Sequence, residues 1–138
     1  AQHLAAEFVN RFRIERPPLA AIALTTDTSI LTSIGNDYDF EHIFAKQIQA
    51  LAKRDDIALG ISTSGNSQNV VMGIEAASAA GLMTIGLSGR GGKLPEIADL
   101  AFCVPSDVTA RIQEVHITLG HMLSELVDRI LFPEQFPG

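Results

Sequence analysis

Tryptophan is absent from this 138-residue sequence, tyrosine occurs once, and aromatic residues make up 6%. A core must therefore be built from Ile, Leu, Val and Ala. The 46% hydrophobic and 19% charged content supplies one and excludes a disordered chain. The single cysteine, Cys103, excludes an internal disulfide and suits a reducing, cytoplasmic setting. Positive charge is also scarce. Ten Lys and Arg stand against sixteen Asp and Glu, a formal charge of −6, which argues against nucleic-acid binding through a basic surface. No apolar run approaches the roughly 20 residues that span a bilayer. The length is that of one ordinary domain, residues 1–138, with no internal repeat.

What is present alternates. Residues 1 to about 12 are helical by composition, and Arg16-Pro17-Pro18 ends that helix. Leu19 to Leu24 reads as a first buried strand, followed by the polar loop Thr25 to Thr28, a short helix from Ser29 to Ile34 and a turn at Gly35-Asn36-Asp37. Phe40, Ile43, Phe44, Ile48 and Leu51 repeat at helical spacing. Ile57 to Ile61, Leu82 to Leu87 and Leu100 to Val104 read as further strands. A helix around Val70 to Ala77 ends near Gly81, and Lys93 to Ala98 is a short helix or turn. The last helix spans about Thr109 to Leu131, with Ile112, Val115, Leu119, Leu123, Leu126 and Ile130 as its core stripe; a tail from Phe132 to Gly138 follows. Short apolar runs alternating with helices predict an open parallel sheet flanked by helices, a three-layer α/β sandwich. In such folds ligands bind at the carboxyl ends of strands.

One loop at such an end stands out. Ser62-Thr63-Ser64-Gly65-Asn66-Ser67 places three hydroxyls, a glycine and a fourth hydroxyl between a strand and a helix start. Unpaired N–H groups and the helix dipole make that position an anion cradle suited to a phosphate monoester. The loop lacks the Gly-Lys-Ser/Thr ending of a Walker loop and the G-x-G-x-x-G of a dinucleotide fold. A plain polar turn with Ser67 as N-cap is the competing reading.

Chemistry-bearing residues also sit on the first and last helices. His3 and Glu7, four apart, share a helix face and can present two metal ligands, or a base and its orienter; a surface pair is the plain alternative. Gln113 and His121 are separated by about 12 Å of rise and about 80° of rotation, so they reach one point only if both side chains stretch or belong to different subunits' sites. Asp27 at the expected strand end suits sugar hydroxyls, or is an ordinary turn residue. Cys103 is expected as an inert core thiol.

The segments Ala1-Gln2-His3-Leu4-Ala5-Ala6-Glu7, Gly35-Asn36-Asp37, Gly60 to Ser67 and Ala110-Arg111-Ile112-Gln113-Glu114 together resemble the sugar isomerase (SIS) domain family, whose fold is flavodoxin-like. The resemblance is strongest to the branch that converts sedoheptulose 7-phosphate to D-glycero-D-manno-heptose 7-phosphate for lipopolysaccharide. It implies an aldose–ketose isomerase with Glu7 as catalytic base and His121 as its acid/base partner. Ser62, Thr63, Ser64 and Ser67 would hold the phosphate, and Asp27 and Gln113 would touch the sugar. It further implies zinc held by His3, Glu7, Gln113 and His121, and a homotetramer with active sites at subunit interfaces. Asn10-Arg11-Phe12, Glu15-Arg16-Pro17 and the Leu131 to Gln135 tail also look like the non-catalytic branch that binds the DnaA replication initiator; as known, that branch lacks the acid at Glu7 and the histidine at His121. Family members carry helices and a Gly-rich strand–loop before the position of Ala1, so this chain reads as the larger, C-terminal part of a longer subunit.

Overall fold

Three short apolar runs form the strands: β1 (Ile57–Ser62), β2 (Met83–Ser88) and β3 (Leu100–Cys103). They make one parallel sheet in the order β1-β2-β3. The computed structural model describes residues 1–136; Pro137 and Gly138, the end of the expected tail, lie outside the described residues. The chain divides into two units. One is Asp27–Gln113, and the other joins Ala1–Thr26 to the chain from Glu114 onward.

In the sheet unit, register aligns Ser62 with Ser88 and Ser88 with Cys103, so the strands end side by side at one carboxyl edge. Helix α4 (Gln68–Ala79) links β1 to β2, and the short α5 (Lys93–Ile97) links β2 to β3. Both cover the same face. Gly60 and Gly86 are register partners, and a Cβ on Gly60 would meet Ile74 of α4 while one on Gly86 would meet Leu94 of α5. Helix α3 (Ile43–Leu51), entered through a 3-10 turn at Phe40–His42, packs on α4, where Gly73 lets Phe44 approach. The buried apolar centre includes Ile43, Ile48, Val71, Ile74, Leu87 and Leu94.

Several expectations change. Leu19 to Leu24 forms no strand: Leu19 N–H bonds Phe8 O, and Ile22 is 70% exposed. An apolar run becomes a strand only where a neighbouring strand completes the ladder, and the described residues of its unit contain none. The loop holding Asp27 is consequently not at a strand end. Helix α2 (Thr28–Asp37) absorbs the expected Gly35-Asn36-Asp37 turn. Its polar residues do not break it because the Thr32 and Ser33 hydroxyls donate to carbonyls within the same helix. Cys103 is exposed, since β3 is an edge strand.

The second unit pairs α1 (Gln2–Val9) with the C-terminal part of α6 (Thr109–Leu131). The expected apolar stripe on α6 is not its buried line: Val115, Leu126 and Ile130 are exposed. The buried positions are Ile112, His116, Gly120, Ser124 and Asp128, spaced four apart. Small and internally bonded side chains fill it. Ser124 donates to Gly120 O, Gly120 leaves room for Leu4 of α1, and Asp128 is paired to Arg16.

Candidate active site

Helical spacing puts His3 and Glu7 on one face of α1, and α6 brings His121 to them. His3 Nε2 lies 2.8 Å from His121 Nε2. His3 Nδ1 is 3.5 Å from Glu7 Oε1, a charge contact longer than a formed hydrogen bond. Phe12 stacks on the His121 ring with centroids 5.2 Å apart, fixing its plane. The Glu7 side chain is 18% exposed, so its carboxylate is partly withdrawn from water. The three side chains offer ligand atoms within 4.8 Å of one another.

That donor set suits zinc. Two imidazoles and a carboxylate, with a further position open, are the ligand types of catalytic zinc sites. Tetrahedral zinc with bonds of about 2.0–2.1 Å holds two nitrogens about 3.3 Å apart, so the rings need only a slight outward shift. The structure therefore brings together three of the four expected ligands. Gln113 stands exposed on α6 and falls in the sheet unit.

In the sheet unit, the hydroxyl loop is built as a braced turn. Ser62, buried at the end of β1, donates through Oγ to Ser67 Oγ at 2.9 Å and accepts the Ser67 N–H at 3.3 Å. Ser67 is the N-cap of α4, but its hydroxyl makes no capping bond; the Val70 N–H is taken by Asn69 Oδ1 and Ser67 O, which leaves the Gln68 and Asn69 amides for solvent or a ligand. Ser64 Oγ accepts the Asn66 N–H. The loop is then tied to the one after β2: Gly89 N–H bonds Thr63 O, Lys93 N–H bonds Asn66 Oδ1 and Leu94 N–H bonds Gly65 O. Gly65, at φ +69°, packs so closely on the Gly91 carbonyl that any Cβ would collide with it.

Between these loops opens a cleft of about 350 Å³ whose lining includes Thr63, Ser64, Arg90, Ser106 and Thr109. The four expected phosphate residues thus divide: Thr63 and Ser64 line the cleft, while Ser62 and Ser67 brace its root. Arg90 is a cation that sequence reasoning passed over inside a Gly-rich loop; its Nε is held at 2.7 Å by Asp107. Its position just after β2 was the available signal. Asp27 is not part of this cleft lining. Its Oδ1 accepts the Ile30 N–H at 2.9 Å and caps α2.

A parallel α/β sheet with a hydroxyl-lined cleft at its carboxyl edge is the arrangement of an α/β domain that binds small molecules, and the helical unit carries a histidine–carboxylate cluster. The chain belongs to the SIS domain family, whose model matches residues 1–89. It is similar to the phosphoheptose isomerase of Solidesulfovibrio magneticus, at 62% identity over 132 residues, covering 96% of this chain and 65% of that protein. The Nitratidesulfovibrio vulgaris phosphoheptose isomerase is likewise 62% identical, with 96% of this chain and 64% of that protein covered. The chain thus spans less than two thirds of the length of these two relatives. Among solved structures, a Francisella tularensis phosphoheptose isomerase matches with a TM-score of 0.89 and 44% identity, covering 94% of this chain and 70% of that one.

Proposed function

We propose that the protein of which this chain is part is a phosphoheptose isomerase, converting sedoheptulose 7-phosphate to D-glycero-D-manno-heptose 7-phosphate for lipopolysaccharide heptose. The observation that carries this reading is the meeting of Glu7 with His3 and His121, a carboxylate and two imidazoles brought to one point by α1 and α6. The relatives named phosphoheptose isomerase support the choice of substrate. The same centre disfavours the non-catalytic branch that binds the replication initiator.

Isomerising a ketose to an aldose moves one proton from C1 to C2 through a cis-enediol, while O1 loses a proton and O2 gains one. In this reading the Glu7 carboxylate takes the C1 proton and returns it to C2. His121 exchanges protons at O1 and O2, and Phe12 keeps its ring in plane for that task. Thr63, Ser64 and the Gln68 and Asn69 amides at the start of α4 hold the phosphate away from the reacting carbons, which supplies positioning energy. Gln113 and Asp27 are proposed sugar contacts. Zinc, held by His3, Glu7 and His121 with Gln113 as the proposed fourth ligand, would supply Lewis-acid polarisation of the carbonyl when bound. A homotetramer with inter-subunit sites and a cytoplasmic location complete the proposal. The lone free thiol Cys103 agrees with a reducing compartment, and no helix among the described residues is long and apolar enough to cross a membrane.

The test is turnover of sedoheptulose 7-phosphate by the full-length gene product. Turnover is expected, and Glu7→Gln is expected to abolish it while retaining phosphate binding. Wild-type turnover in Glu7→Gln would sink the mechanism.

A further inference from the structure

Arg16 belongs to no motif, yet it is almost completely enclosed. Its side chain is 2% exposed, and that of its partner Asp128 on α6 is 1% exposed. Nε donates to Asp128 Oδ1 at 2.8 Å. The other donors all point at backbone: Nη2 to Glu7 O at 2.8 Å, and Nη1 to Phe8 O at 2.8 Å, Asn10 O at 3.3 Å and Pro17 O at 3.2 Å. Carbonyls in the last turn of a helix lack intrahelical partners and carry the negative end of its dipole. The guanidinium therefore closes the C-terminus of α1, and Asp128 fixes the guanidinium to α6.

Stability alone does not account for this arrangement. Taking two charges out of water is costly, and an apolar pair of similar volume often serves stability as well or better. An apolar pair cannot, however, hold the Glu7 carbonyl at a hydrogen-bonded point relative to α6. Asp128 follows His121 by seven residues, about 10 Å of rise and within about 20° of the same face. Glu7 is thus held twice against one face of α6: its side chain lies at the His3–His121 pair, and its backbone is bound through Arg16 at Asp128.

We propose that Arg16 and Asp128 are positioning residues that set the Glu7 carboxylate against His3 and His121. The proposal rests on reading that cluster as the proton-transfer and metal centre. Its test uses the full-length protein and the double variant Arg16→Met/Asp128→Leu, which keeps volume and removes both charges. Relative to the parent, kcat for sedoheptulose 7-phosphate is expected to fall about 10–100-fold with KM within about twofold, and zinc affinity to fall about 10–100-fold. A folded double variant with parental kcat and zinc affinity overturns the proposal. Should that variant not fold, Arg16→Lys, which keeps the charge and loses the planar fork, decides by the same two readouts. A parent that binds zinc but does not turn over the sugar removes the activity reading alone, and the zinc-affinity ratio still decides the positioning. A parent that does neither overturns both.

Discussion

His3 Nε2 and His121 Nε2 stand 2.8 Å apart, two ring nitrogens between which only one proton fits. A divalent cation would take the place of that proton, with His3, His121 and Glu7 as the residues that would hold it. Zinc is therefore expected to bind metal-free full-length protein. His121→Ala, which raises rather than lowers helix propensity in α6, is expected to weaken zinc by more than the roughly 100-fold that marks loss of an outer-shell partner. Chelator competition or calorimetric titration measures it. Equal affinities in the variant and the parent would show that the pair is no metal site.

The four hydroxyls of the loop after β1 are expected to separate by role. Ser62 Oγ is buried, donates to Ser67 Oγ and accepts the Ser67 N–H, so Ser62→Ala leaves a backbone donor without its acceptor. Ser67 is exposed and water can take over part of the lost bond, so the loss should be about 0.5–1.5 kcal/mol of stability. Ser64 lines the cleft and is braced only by the Asn66 N–H and a long contact to Ser62. Ser64→Ala should leave stability nearly unchanged and weaken sugar-phosphate binding about fivefold, the equivalent of about 1 kcal/mol. Urea denaturation and ligand titration of both variants separate the two effects. Unchanged ligand affinity in Ser64→Ala and in Thr63→Val would remove the phosphate assignment.

The strands and the long last helix were legible because their signals are local. Ile57–Ser62 and Met83–Ser88 are continuous apolar runs, and Thr109–Leu131 is bounded as its composition suggests. The His3–Glu7 face was legible from a spacing of four. What meets it was not: periodicity on α6 cannot say which stripe faces α1, and His121 was assigned through family resemblance. The buried line of α6 was illegible because Gly120, Ser124 and Asp128 are residue types of a solvent face. Arg16, beside two prolines, read only as a helix end, since the partner that makes its burial tolerable lies 112 residues away. Leu19 to Leu24 misled for the converse reason, being apolar in type but without a neighbouring strand.

Asp99 gives the sheet an acid-sensitive bracket. Its carboxylate accepts the Thr84 hydroxyl at 2.7 Å and the Thr84 N–H at 2.8 Å, while its own N–H donates to Thr84 Oγ1. The hydroxyl bond, reinforced by the backbone bond, holds the Asp99 carboxyl below its ordinary 3.8. A folded-state pKa below the unfolded one means stabilisation that is full above the ordinary value and is lost as pH falls from there through the lower folded-state value. Asp99→Asn should therefore be less stable than the parent at about pH 6, and the gap should narrow at about pH 2.5. Denaturant midpoints at the two pH values check this, and a gap that stays constant would refute it.

Leu4 of α1 fills the space beside Gly120 of α6 so fully that a Cβ there would collide with its Cδ2. Two effects oppose each other in Gly120→Ala. Helix propensity favours alanine by about 1 kcal/mol. Overpacking a tight contact costs about 1–3 kcal/mol. Because α1 is also pinned through Arg16, Leu4 has little freedom to retreat, and a net loss of about 1–2 kcal/mol is expected. Leu4→Ala alone should cost about 2–3 kcal/mol through the cavity it leaves. The double variant is the decisive one. Alanine at 120 then partly fills the space that Leu4 vacates, so the two losses should sum to more than the measured one by at least about 0.5 kcal/mol. Urea denaturation of the four proteins in this cycle gives the coupling. Strict additivity would mean that α1 seats on α6 without depending on the missing side chain of Gly120.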